Sequence, residues 1–237
     1  MADFLLVHGS CHGAWCWRDV IPALSARAHT VRAIDLPGSG NDQTPVANVT
    51  LERCQDAILD AIRPDTILVG HSWGGYPISA AAEAAPSTVR ALIYLCAYVP
   101  ISGLSMVEMR KRAPRQPLVH AIERSDDELS YTVDDDQIEP LFYHDCTSET
   151  IAYAKAHLRP QAVRPQATPL VVTDRFANVP KHYIRCSDDR TIPPEYQQTM
   201  TADWPQDHVH VMDSSHSPFF AHPQTLTELL CDIERHL

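Results

Sequence analysis

Ser72 stands in the run Gly70-His71-Ser72-Trp73-Gly74-Gly75. A hydroxyl with glycine two residues before and two after it is the pattern of a nucleophile on a tight turn, where neighbouring side chains would collide. The pattern alone is weak, because glycines gather in turns and serine caps helices. A serine hydroxyl is also a poor nucleophile without a base, and the base needs an orienting acid. Two later stretches hold such groups: "CSDDRTIPPEYQ", with Asp188 and Asp189, and "DSSHSPFFAHP", with His216. Spacing does not separate the two aspartates. One is expected to reach His216 and the other to accept loop backbone N–H groups. His222 reads as a residue at the start of the last helix, and His208 and His210 as part of a strand or its entry. Acyl transfer would also need two N–H donors for a developing oxyanion. Trp73 N–H, directly after the serine, is one candidate. The other is expected from "HGSCHGAWCW", residues 8–17, where Gly9 and Gly13 let the backbone come close. His8 and His12 have i, i+4 spacing, but on a glycine loop with no acidic partner they do not read as metal ligands.

The elements around these residues alternate. Apolar runs at 4–7, 30–34, 66–69, 89–95, 182–186 and 209–212 read as strands. Trp17, Val20, Ile21 and Leu24 trace one helix face. Leu51, Cys54, Ile58 and Ile62 trace a second, capped by Thr50 and stopped by Pro64. Ala80 to Ala85 is strongly helical, and Pro77 is tolerated in a first turn. Leu226, Leu229, Leu230, Ile233 and Leu237 mark a last amphipathic helix. Strand–helix alternation means βαβ units, a parallel sheet and helices on both faces. The turn at Ser72 then lies between a strand and a helix, at the sheet edge where open α/β folds place their sites. The candidate acid and base follow later strands at that same edge. Residues 97–170 break the rhythm, with helical patches at 104–112 and 147–158 and no clear strands, and read as an inserted helical cap.

Composition excludes several classes. The chain has 237 residues, 44% of them hydrophobic, which suits one domain with an insertion. Its net charge of −11 argues against nucleic acid and anionic membranes as partners. Residues 121–149 carry ten carboxylates and one arginine, and read as a solvated surface. No apolar run reaches the ~20 residues of a membrane helix. The first residues lack a basic region and cleavage site, so a cytoplasmic location is expected. Seven cysteines without a C-x-x-C spacing read as reduced thiols rather than a disulfide framework or structural zinc site.

Taken together, "VHGSCHGAWCW", "IDLPGSG", "GHSWGG", "LFYHDC", "LRPQA", "YIRCSDDRTIPPEYQ" and "SSHSPFF" resemble the α/β-hydrolase branch that contains plant methylesterases and hydroxynitrile lyases, with bacterial relatives. The resemblance spans nearly the whole chain. It implies the α/β-hydrolase fold: a mainly parallel sheet of about six strands, a core of residues 1–96 and 171–237, and the 97–170 cap. In that family the acid directly precedes a basic residue in a pattern like D-[KR]-x-[IL]-P, which selects Asp189. The second oxyanion donor lies two residues after the loop histidine, which maps to Ser10 N–H. The family's lyases carry a threonine after the loop histidine and a lysine after the catalytic histidine. Here those positions are Gly9 and Ser217, so the resemblance favours an esterase. Ser217 also differs from the methionine common in the plant esterases. The implied activity is a serine carboxylic-ester hydrolase that acts on a small, largely apolar ester through an acyl-enzyme. The implied catalytic residues are Ser72, Asp189 and His216, with Ser10 and Trp73 as oxyanion donors. No cofactor or metal is expected. The partner is a small-molecule ester, and a homodimer is compatible with this reading. The rivals are cyanohydrin cleavage on the same triad and a ligand receptor that keeps the pocket.

Overall fold

Six apolar runs become six parallel strands of one sheet in the computed structural model, which describes residues 1–237. The strands are β1 (Asp3–Val7), β2 (Thr30–Ile34), β3 (Thr66–His71), β4 (Val89–Leu95), β8 (Lys181–Cys186) and β9 (Val209–Met212). Three shorter strands lie between β4 and β8 and form a separate sheet. The main sheet runs in the order β2-β1-β3-β4-β8-β9, with every neighbouring pair parallel. Side chains of β3 alternate between two hydrophobic cores. Ile67 and Val69 join one, and Leu68 joins the other. The cores hold 31 and 29 buried residues, so both faces are covered to a similar depth, as an all-parallel sheet requires.

The helices form where apolar periodicity and caps agree. Leu51–Ala61 starts at Thr50, whose hydroxyl accepts from Arg53 N–H at 3.1 Å. Gly75–Ala84 follows β3 through a single 3₁₀ turn, Ser72–Gly74, with Pro77 in its first turn, where no backbone donor is missed. Pro223–Arg235 closes the chain. No helix is long and apolar enough to cross a membrane. All seven cysteines are free.

The excursion between β4 and β8 is less helical than its sequence suggests. It contains the helices Met106–Lys111 and Ser148–His157 near the expected places. It also contains a three-stranded antiparallel sheet of β5 (Ile122–Arg124), β6 (Ser130–Val133) and β7 (Gln161–Ala162). These strands have three, four and two residues, too few for an alternating pattern to stand out. The two ends of the excursion are tied together. Gly103 N–H donates to Leu170 O at 2.8 Å, and Ser102 Oγ donates to Val172 O at 2.8 Å.

The register sets up the site. Gly70 pairs with Val7 on one side and Tyr94 on the other, so the loop after β1 leaves beside the turn after β3. Cys186 pairs with Met212, so the loops carrying Asp189 and His216 also leave side by side.

Candidate active site

Ser72 is one of the few non-glycine residues with left-handed backbone, at φ +53°. That conformation costs an L-residue roughly 1–2 kcal/mol and survives only where the surroundings enforce it. Here they do. A Cβ on Gly74 would sit 2.7 Å from His8 O, and one on Gly70 would sit 2.7 Å from Ile78 Cδ1. Ser72 O accepts from Tyr98 N–H at 3.1 Å. The turn is thus clamped between the β1 loop, the following helix and the segment after β4.

His216 Nδ1 lies 2.8 Å from Asp189 Oδ2, and both side chains are buried. The Asp189 carboxylate has all its other acceptor directions filled. Oδ1 accepts from Thr191 N–H at 2.7 Å and Ile192 N–H at 2.9 Å, and Oδ2 also accepts from Gln197 Nε2 at 2.9 Å. An acceptor-only oxygen requires the proton on His216 Nδ1, which leaves Nε2 as a lone pair. His71 Nε2 donates to His216 O at 2.8 Å, with the rings 4.6 Å apart, and so brings His216 beside the Ser72 turn. Ser72 and His216 are not directly hydrogen-bonded in this arrangement, and such contacts tighten when substrate binds.

The aspartates divide their work differently from the sequence expectation. Asp189 itself takes the loop N–H groups as well as His216. Asp188 is largely exposed and pairs with His144 at 2.9 Å and Arg190 at 3.6 Å. The physical reason is that one buried carboxylate offers enough lone pairs for both tasks.

The β1 loop is locked by its histidines. His8 Nε2 accepts from Leu36 N–H at 3.1 Å while its Nδ1 donates to Gly9 O at 2.8 Å. His12 Nδ1 donates to Ser10 O at 2.7 Å, and its Nε2 accepts from Tyr143 Oη at 2.6 Å. Every ring nitrogen of this pair is engaged, so neither ring has a lone pair for a metal. His71, Cys96 and His216 do bring donor atoms within 4.8 Å of one another. Burial pushes the Cys96 thiol well up, which disfavours the thiolate that a metal requires. Ser10 N–H donates to no protein acceptor. A Cβ on Gly9 would meet His71 Nδ1 at 2.6 Å and Ser72 Cβ at 2.9 Å, which shows how close the loop comes to Ser72.

Several residues of the site have no motif of their own. Gln166 Nε2 donates to Ser10 Oγ at 2.7 Å, and Gln161 Oε1 accepts from Cys11 N–H at 3.1 Å. Asp145 accepts from Ser215 N–H at 2.8 Å and so pins the His216 loop. Tyr143, Asp145 and Gln161 lie in "LFYHDC" and "LRPQA", stretches that carry the family resemblance without suggesting a role. His222 is half-exposed before the last helix, and His210 lies in β9, as read from sequence.

The buried histidines have a measurable consequence. Burial lowers His12 to about 3, and it also lowers His8 and, with His216 nearby, His71. Below about pH 6.5 the unfolded chain takes up protons that these rings refuse when folded. Stability is therefore complete above that pH and falls as pH drops. At pH 5, His12 alone should cost about 2 kcal/mol. Urea midpoints should hold from pH 8 to about pH 6.5 and fall from there to pH 5. A flat profile would mean that these rings are charged in the fold.

Comparison with known proteins agrees with this architecture. The profile of the Alpha/beta hydrolase family matches residues 4–229. Methylesterase 7 of Arabidopsis thaliana is 32% identical over 255 residues, covering 97% of this chain and 95% of that protein. Salicylic acid-binding protein 2 of Nicotiana tabacum is 28% identical, covering 97% and 96%. Among solved structures, a pyrethroid hydrolase from Sphingobium faniae JZ-2 superposes with a TM-score of 0.86 at 28% identity, covering 98% of this chain and 96% of that one.

Proposed function

The chain belongs to the alpha/beta hydrolase family, and on that premise we propose that it is a serine carboxylic-ester hydrolase working through an acyl-enzyme. The observation that carries this reading is the buried Asp189–His216 pair at the sheet edge where Ser72 is held at positive φ. Ser72 Oγ attacks the ester carbonyl. His216 Nε2 takes its proton and passes it to the leaving alcohol, while Asp189 holds the Nδ1–H tautomer. The oxyanion develops between Ser10 N–H and Trp73 N–H, the latter at a helix start whose N–H groups have no intrahelical partner. Water then releases the acid by the same base. Residues 97–170 act as the lid over this site. Relatives named as a methylesterase and as a pyrethroid hydrolase support hydrolysis.

Cyanohydrin cleavage is the disfavoured alternative. Departing cyanide needs a cation beside the base, and position 217 offers only a short neutral hydroxyl, buried and unpartnered. A side chain at position 9 would collide with His71 and Ser72. Aryl and methyl esters of graded acyl length should turn over, while mandelonitrile and acetone cyanohydrin should not release cyanide above the spontaneous rate. Cyanide release that depends on Ser72 and outpaces every ester would overturn the proposal.

A further inference from the structure

A chain of net charge −11 concentrates positive charge in one place. Residues 110–115 carry Arg110, Lys111, Arg112 and Arg115 with no acid among them. Arg115 is neutralised by Glu195 at 2.6 Å. Arg110 is not neutralised. Its guanidinium makes no ion pair and no hydrogen bond, and its Nε is buried without a partner. Arg124, on β5, is likewise in no ion pair.

Half-buried Arg110 and exposed Arg124 are both among the residues that line one cavity of about 230 Å³. Its remaining walls are valine and isoleucine side chains together with Tyr131 and Gln166, and no carboxylate faces it. The cavity adjoins the reaction site. Gln166 Oε1 accepts from Tyr131 Oη at 3.0 Å, while its Nε2 donates to Ser10 Oγ at 2.7 Å. Tyr98, whose N–H holds Ser72 O, also lies near Arg110. Burial raises the Tyr98 and Tyr131 hydroxyls, and the Arg110 charge opposes the rise in both.

The buried Arg110 Nε has lost water without gaining an acceptor, which is costly. The group that fits its planar fork is a carboxylate, bound through two parallel hydrogen bonds. A monoanion also suits an acidic protein better than a phosphate dianion, which the surrounding negative charge repels more strongly. The cavity is tied to the site through Gln166 and Ser10, and no residue of the His216 loop lines it. The leaving alcohol must lie on the His216 side, because His216 protonates it, so the cavity receives the acyl portion.

We infer that the substrate is a half-ester of a dicarboxylic acid. Its free carboxylate binds Arg110, with Arg124 beside it, across a short apolar spacer from the scissile carbonyl. This rests on the ester-hydrolase reading and narrows it: the apolar walls hold the spacer, and the far end is cationic.

The test has a kinetic arm and a binding arm. Monomethyl adipate is compared with a methyl alkanoate of equal length. The half-ester should have a kcat/KM about tenfold to a hundredfold higher, the worth of one charged hydrogen-bonded contact. Arg110→Met should collapse that ratio to near one, through KM, and Arg110→Lys should restore part of it. In the binding arm, calorimetry on the Ser72→Ala protein should detect monomethyl adipate, and the added Arg110→Met change should weaken it by a similar factor, with circular dichroism confirming the fold. An unchanged ratio in Arg110→Met, or binding indifferent to Arg110, overturns the inference. Arg110-dependent binding without hydrolysis of any ester supports the carboxylate site and refutes the esterase reading instead.

Discussion

Ser72→Ala should reduce kcat for ester hydrolysis by about 10⁵- to 10⁶-fold, with substrate binding little changed. The residual rate is what oxyanion donors and positioning supply once covalent catalysis is gone. The variant should fold normally, because alanine keeps the Cβ and the serine hydroxyl makes no hydrogen bond in the fold. Ser72→Gly separates structure from catalysis further. Glycine accepts φ +53° without strain. It should therefore be more stable than the parent by roughly 1 kcal/mol, after the entropy cost of glycine, and equally inactive. Urea denaturation and initial-rate kinetics on the three proteins check both statements. A Ser72→Ala protein that retains more than a few per cent of its rate would show that another group attacks.

Asp189→Asn should lower kcat by about 10⁴-fold, and the reason lies in its hydrogen bonds. Oδ1 already receives Thr191 and Ile192 N–H, so an asparagine must keep its oxygen there. Its NH₂ then faces His216 Nδ1 and Gln197 Nε2, where Asp189 presented an acceptor. His216 can answer only by moving its proton to Nε2, and that tautomer cannot accept the proton of Ser72. Gln197 is left donor to donor. Asp188→Asn, in an exposed carboxylate paired with His144 and Arg190, should change kcat by no more than a few-fold. The opposite ranking of the two variants would place the acid one residue earlier.

These two residues also mark how far the sequence can be read. The strand runs, the glycine turn around Ser72 and the late positions of Asp189 and His216 are local patterns. Each is written in a few adjacent residues, because a strand end and a tight turn impose their chemistry on their own neighbours. Choosing Asp189 over Asp188 already required the family resemblance. The double duty of the Asp189 carboxylate needed coordinates, since nothing in "CSDDRTIPPEYQ" says which oxygens face Gln197 or the loop N–H groups. The supports of the β1 loop were hidden for a different reason. Gln161 and Gln166 meet Cys11 and Ser10 across about 150 residues, and Tyr143 meets His12 across 131. Single side chains joined over such distances leave no periodicity. β5, β6 and β7 escaped because strands of two to four residues bury too little to impose alternation.

Arg110 belongs to the same class of hidden feature. From sequence it is one residue of the helical patch at 104–112. Its meaning comes from what surrounds it: apolar walls, no acid, and Gln166 bridging to Ser10.

The most direct test of the account is covalent labelling. A fluorophosphonate mimics the tetrahedral intermediate and bonds only to a hydroxyl that an adjacent base has activated and an oxyanion hole can serve. Intact-mass analysis should show one adduct per chain, and peptide mapping should place it on Ser72. The adduct should be absent from Ser72→Ala and formed far more slowly by Asp189→Asn. Labelling that persists in Ser72→Ala, or that maps to any other residue, would contradict the account.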